Sequence, residues 1–288
     1  MNDTWHALSL NLPENFLGEA LALLENLGSN GCTEEKSKDA GFVNLTAYFS
    51  GDLYEKTALF EKVLESFKVV PGLSNLRLEI NTSMTTDWNR EWRQWFHPFK
   101  LVPGITVRPS WEPYVPTGGE SVIVLDPGMA FGTGLHPTTK LCARAIYDAK
   151  ESGKESSLLD VGSGSGLLAI VGRKLGIKTI DAVEIDDEAI RVARENIDIN
   201  DAGSIKIYKN LGEISTQYDI VAANILLITL IQLEDELIAK TKTGGRLILS
   251  GITHDQEEDI KQAFQTGLAL HNLSRMDEWS CITFERQS

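Results

Sequence analysis

Cysteine is scarce in this chain. The 288 residues hold three, Cys32, Cys142 and Cys281, far apart and without a Cys-x-x-Cys pair. That spacing speaks against a metal site and a disulfide framework, and leaves reduced thiols in a cytoplasmic protein as the expectation. Long apolar runs are missing too. The longest, from Ile220 to Ile231, has 12 residues and is broken by Asn224 and Thr229. A membrane-spanning helix needs about 20. The first residues, Met1-Asn2-Asp3-Thr4, carry no basic group and lead into no apolar block, so no secretory signal is expected. Dense Lys/Arg runs are also absent, and the formal net charge is −14. Such a chain repels a phosphate backbone, so direct nucleic-acid binding is not expected. Residues 1–86 contain 12 acidic and 6 basic side chains, and the remainder 29 and 21, so neither part is a basic module. An acidic surface instead steers a basic partner toward encounter. A monomer is the expected state.

What is present is ordinary globular composition, 42% hydrophobic and 24% charged, in a length comfortable for two domains. Residues 1–86 read as a small α+β unit. Trp5 to Leu10 alternates like a strand, and Pro13 to Leu27 reads as an amphipathic helix. Short strands follow near Ser29 to Thr33 and over Asn44 to Phe49, then a helix over Tyr54 to Phe67 and a strand over Leu76 to Ile80. This strand-helix-strand-strand-helix-strand order is the ferredoxin-like one. Residues 87–100 read as a connector. Trp88, Trp92 and Trp95 form a helical stripe there that either packs a joint between domains or touches substrate. Five prolines between Pro98 and Pro116 then predict a largely irregular stretch.

From about Ser157 the pattern becomes alternating strand and helix. Strands are expected at Leu158–Val161, Thr179–Ile185, Ile205–Tyr208, Tyr218–Ala223 and Arg246–Ser250. Helices are expected at Leu167–Leu175, Glu188–Asn200 and Leu226–Ala239. Such alternation means a parallel sheet covered on both faces, a Rossmann-like α/β domain over residues 101–288. Between the first strand and helix lies Asp160-Val161-Gly162-Ser163-Gly164-Ser165-Gly166. The glycines let a ligand approach the backbone, and the helix that follows is expected to present free amides. The spacing is Gly-x-Gly-x-Gly, one place short of the dinucleotide fingerprint, and no Walker lysine follows. The loop suits a nucleoside ligand without phosphates. The bland alternative is a plain strand-to-helix turn. Glu184 ends the next strand, where an acid accepts ribose hydroxyls. Asp186 or Asp187 is expected to cap the following helix. Asn224 ends the fourth strand and either caps a helix or orients cofactor and acceptor. Upstream, the run from Leu125 to Thr139 forms a defined loop ending in a threonine N-cap. Phe131 in that loop is a candidate to cover the nucleoside. His136 is either a base or, the commoner case, structural.

Together LDPGMAFGTGLHPTT, LLDVGSGSG, AVEIDD, ANIL and DEWSCITF, with the connector WNREWRQWFHPF, resemble the bacterial methyltransferase family that modifies large-subunit ribosomal protein eleven. The resemblance runs through essentially the whole chain. It implies a class I S-adenosylmethionine-dependent protein N-methyltransferase acting on lysine side chains and the N-terminal amine of that basic protein. It implies that Thr139, Gly162, Glu184 and Asn224 contact S-adenosylmethionine; the reading of the two loops adds Gly164 and Phe131 as cofactor-binding candidates. It further implies that the N-terminal domain grips the substrate, while the place of Asn224 at the strand end makes it the catalytic candidate. Glu184 stands where Asp is commoner, and Ile225-Leu226 follows Asn224 in place of the Asn-Pro-Pro-aromatic signature of other amine methyltransferases. A methyltransferase of another protein's lysines and a non-catalytic cofactor-binding module are the competing readings.

Overall fold

The structure is a computed structural model. It describes residues 5–26, 29, 31–39, 41–50, 77–81, 96–126, 132–153 and 156–287. The chain forms two compact units, Met1–Trp95 and Phe96–Ser288.

In the first unit, β1 (Trp5–Pro13), β2 (Cys32–Lys36), β3 (Phe42–Ser50) and β4 (Arg77–Asn81) build one sheet in the order β2-β3-β1-β4, and α1 (Leu17–Asn26) follows β1 in the chain. Every pairing in it is antiparallel. This order suits the ferredoxin-like plan; the helix expected over residues 54–67 lies outside the described residues, as does the tryptophan stripe. Period-two alternation sends Leu8, Leu10 and Leu12 of β1 and Val43, Leu45, Ala47 and Phe49 of β3 to one face. Ala20 and Leu24, four residues apart on α1, cover that face. The helix expected from Pro13 starts as a single 3₁₀ turn at Glu14–Phe16. The strand expected near 29–33 lies at Cys32–Lys36 instead. It is a largely exposed edge strand, so it carries no apolar alternation to read.

The second unit opens with β5 (Phe99–Val102), β6 (Ile105–Arg108) and β7 (Ser121–Val124), a three-stranded sheet in that order. This corrects the irregular stretch expected there. The prolines bound the strands rather than break them. Pro98 precedes β5, Pro103 and Gly104 make the turn to β6, and Pro109 follows it. Phe96 packs edge-on against Phe99, ring centres 6.0 Å apart.

The main sheet holds seven strands. They are β8 (Ser157–Val161), β9 (Thr179–Val183), β10 (Lys206–Tyr208), β11 (Tyr218–Asn224), β12 (Thr241–Thr253), β13 (Leu268–Met276) and β14 (Trp279–Arg286). Their order is β10-β9-β8-β11-β12-β14-β13. The first five run parallel. The last strand enters antiparallel between β12 and β13. Helices α2 (Pro137–Glu151), α3 (Leu167–Lys174), α4 (Asp187–Ile199), α5 (Leu227–Gln232), α6 (Glu234–Lys240) and α7 (Glu257–Ala263) accompany it. Alternate residues of each central strand feed two separate cores. Leu158, Ile180, Ile220 and Ile248 meet Ile146 of α2 and Ile170 of α3. Leu159, Val183, Val221 and Leu249 meet Leu230, Leu237 and Ile260 of α5, α6 and α7. The sheet therefore has helices on both faces, which is why its strands read as continuous apolar runs. No helix among the described residues is long and apolar enough to cross a membrane.

Candidate functional site

The strand order reverses at β8, whose neighbours are β9 on one side and β11 on the other. Ligands of open α/β sheets bind at such a switch point, outside the carboxyl ends of the strands. The glycine loop leaves β8 at that position. Gly162, Gly164 and Gly166 all adopt positive φ, +71°, +52° and +77°, the region that side chains disfavour. Gly162 also lets the turn after β11 close over it, because a Cβ there would lie 2.2 Å from Cγ2 of Ile225.

The loop's amides are largely consumed by the protein itself. Gly162 and Ser163 donate to the Val183 carbonyl at 2.9 and 3.1 Å, and Gly166 donates to the Ser163 carbonyl at 2.8 Å. Gly164 donates to Glu184 Oε2 at 2.8 Å. At the start of α3, Ala169 donates to Asp160 Oδ2 at 3.1 Å. Four amides of the loop and that of Ala169 are thus engaged within the protein. Side-chain polar atoms are left over as well. Asp160 Oδ1, Asn224 Oδ1 and Ser163 Oγ are buried without a hydrogen-bond partner. The Asn224 oxygen is a pure acceptor, and buried polar atoms rarely stay unpaired. The arrangement suits a ligand that brings donors or positive charge.

Glu184 is held at the head of β9. Its Oε1 accepts from the Ile185 and Asp186 amides at 2.8 and 3.1 Å. With one bond on Oε2, a carboxylate of about four acceptor sites keeps one site open. Asp186 is the cap of α4, accepting from the Ala189 amide at 3.2 Å. Asn224 Nδ2 approaches Thr139 Oγ1 at 3.5 Å, which joins the end of β11 to the first turn of α2. Gly132, Thr139, Gly162, Ser163, Ser165, Leu167, Leu168 and Asn224 line one small cavity. A larger, more open depression beside α4 and β10 is lined by Arg194, Ile197, Asp198, Gly203, Ile205 and Ile207. It brings together none of the unpaired acceptors, so the smaller cavity is the candidate site.

The structure thus gathers Thr139, Gly162 and Asn224 at one cavity and sets Glu184 and Gly164 against its loop. Phe131 lies outside the described residues. The expected threonine cap of α2 is corrected. His136 is the N-cap and accepts from the Thr138 amide, while Thr138 and Thr139 sit buried in the first turn. Burial holds the His136 pKa below its ordinary value, with Glu278 opposing and Lys140 adding to the effect. Its ring meets Trp279 edge-on at 4.9 Å. A neutral ring that caps a helix is a structural histidine. Sequence reasoning passed over Asp160, whose carboxyl burial pushes up to about 7. Its signal was an acid inside the buried strand Leu158-Leu159-Asp160-Val161. Among the described residues, no group of three or more His, Cys, Asp or Glu could hold a metal.

These features define the class first: a Rossmann-like α/β protein with a small-ligand crevice at the switch point, where unpaired buried polar atoms suit a donor-bearing ligand. Comparison with known proteins narrows it. The family model described as Ribosomal protein L11 methyltransferase (PrmA) matches residues 4–287. The ribosomal protein L11 methyltransferase of Geobacter sulfurreducens is 42% identical over 301 residues, covering 100% of both chains. That of Geobacter metallireducens is 35% identical over 299 residues, covering 99% of both. The crystal structure of a ribosomal protein L11 methylase from Lactobacillus delbrueckii subsp. bulgaricus aligns with a TM-score of 0.61 at 31% identity, over 67% of this chain and 100% of that one. The chain belongs to the ribosomal protein L11 methyltransferase family and is a methyltransferase of the class I fold.

Proposed function

We propose that this protein transfers methyl groups from S-adenosylmethionine to amino groups of ribosomal protein L11, lysine side chains and the N-terminal amine among them, in the cytoplasm. The observation that carries this reading is the extent of the family match, residues 4–287. It spans both units, so it supports the substrate as well as the cofactor. Residues 1–86 are assigned to substrate recognition in a ferredoxin-like domain, residues 87–100 to the connector, and residues 101–288 to cofactor binding and chemistry.

The residues at the cavity fit the cofactor. Its ammonium and ribose hydroxyls are donors, and the unpaired Asn224 Oδ1 and the open site on Glu184 are acceptors. Thr139, Gly162, Glu184 and Asn224 are assigned to hold it, with Gly164 shaping the loop and Phe131 covering the nucleoside. When bound, S-adenosylmethionine supplies an already activated methyl group, so the protein's task is to position the reactants. Asn224 is assigned to orient the acceptor nitrogen as well. A lysine acceptor must first lose a proton, which costs about 4–5 kcal/mol at pH 7 from a reference pKa near 10.4. Desolvation in a closed site lowers that cost.

The test is purified L11, labelled cofactor, no RNA, and mass spectrometry of the product. Methyl groups on L11 nitrogens, with a rate that rises between pH 7 and 9, are expected. Label only on RNA or only on other proteins overturns the substrate.

A further inference from the structure

Two walls of the cavity come from different parts of the chain. One is the glycine loop, and the other is Gly132, from the segment that leads into α2. Ser165 joins them, its Oγ donating to the Gly132 carbonyl at 2.8 Å. Gly132 sits at φ +102°, and a Cβ there would stand 3.0 Å from that same Oγ. The two walls therefore meet across a single hydroxyl, with no spare room. We propose that Ser165 is a positioning residue that sets the separation of these walls and so the fit of the cofactor. This rests on the cavity being the S-adenosylmethionine site.

Ser165 is itself held from behind. Its carbonyl accepts from Asn196 Nδ2 at 2.8 Å. The Asn196 carbonyl accepts from Asn200 Nδ2 at 2.7 Å. Asn200 then closes on both backbone groups of Val124, accepting from its amide at 2.7 Å and donating to its carbonyl at 2.8 Å. Both asparagines are buried, Asn196 on α4 and Asn200 at its C-terminal cap, beside the apolar Ala193 and Ile197. Burying an amide costs free energy unless its bonds are made, and apolar residues would fill the same space. What the amides add is a fixed position for Ser165 relative to β7, whose last residue is Val124.

The test is titration calorimetry of the full chain with S-adenosylmethionine and S-adenosylhomocysteine, beside thermal melting of the unliganded protein. Ser165→Ala removes the tie, one partly buried hydrogen bond. A Kd raised about tenfold for both ligands is expected, which corresponds to about 1.4 kcal/mol. The turnover number at saturating cofactor should stay within about twofold, because the tie shapes binding rather than the reacting atoms. Asn196→Leu should raise Kd in the same direction through Ser165. Gly132→Ala should weaken binding in the native background, and weaken it by a smaller factor when combined with Ser165→Ala, where the opposing hydroxyl is gone. An unchanged Kd in Ser165→Ala with a lowered melting temperature would make the residue merely structural and overturn the proposal. Failure of the wild-type protein to bind either ligand would instead overturn the cofactor assignment, and this proposal with it.

Discussion

Asp160 lies fully buried near the carboxyl end of β8, and the cost of desolvating its charge pushes its carboxyl up to about 7. The charge of Glu184 pushes the same way, while the Ala169 amide opposes. An acid with a raised folded pKa favours the native state most below its unfolded pKa, near 3.9, and loses that contribution as pH climbs to about 7. The unliganded protein should therefore lose on the order of 3–4 kcal/mol from this group between pH 4 and 7. Denaturant melts across that range check it, and Asp160→Asn should flatten the slope. Glu184 makes a separate prediction. Glu184→Ala should weaken cofactor binding by about 1.5–3 kcal/mol, since its carboxylate both organises Gly164 and offers the open acceptor site. Asp187 is 81% exposed and pairs with Lys209, so Asp187→Ala should change binding by a few tenths of a kcal/mol at most. Equal losses in calorimetry would reject the distinction. Glu184 and Asn224 were legible because each closes an apolar strand, where a polar residue needs a reason. The His136 cap was not, because its role comes from a ring nitrogen reaching Thr138, and histidine is not among the favoured caps.

The elements that sequence left unread are those whose faces are not alternately wet and dry. The edge strand β13 is mostly exposed, and β14 could be noticed only as a motif. Their attachment is polar. Glu257 of α7 is buried and accepts from Arg275 of β13 through Nε and Nη2 at 2.7 and 2.6 Å. It also accepts from Ser280 Oγ of β14 at 2.5 Å. Arg275 in first place holds the Glu257 carboxyl down at about 2, with Ser280 adding to it. A depressed acid contributes stability that is present above its unfolded pKa, near 4.3, and is lost as pH falls toward 2. Glu257→Gln should cost about 1–2 kcal/mol at neutral pH, less than a fully buried pair because Arg275 is half exposed. It should also make acid unfolding between pH 4 and 2 less steep. An unchanged acid transition would show that the staple carries nothing. The helix expected as one piece over Leu226–Ala239 is α5 and α6, which part at Leu233. An unbroken apolar periodicity gave no hint of the break.

At the scale of the whole molecule, the parallel sheet and its crevice were readable from strand-helix alternation and a glycine loop, while the β5–β7 sheet was hidden by prolines that turned out to sit between strands. The net charge of −14 bears on the partner. A basic protein steered by it should associate faster at low salt, and the advantage should fade as the Debye length shrinks from about 30 Å at 0.01 M to about 8 Å at 0.15 M. The second-order rate of L11 methylation should fall accordingly. The proposed division of labour predicts that a chain starting near Asp87 keeps cofactor affinity and loses methylation of L11; a folded fragment that fails to bind cofactor would contradict it. The most direct measurement is intact and peptide mass spectrometry of purified L11 after incubation with the enzyme and labelled S-adenosylmethionine, without RNA. Added masses in methyl steps on lysine or N-terminal nitrogens are the expected result, and an unmodified L11 beside label on another macromolecule would contradict the assignment.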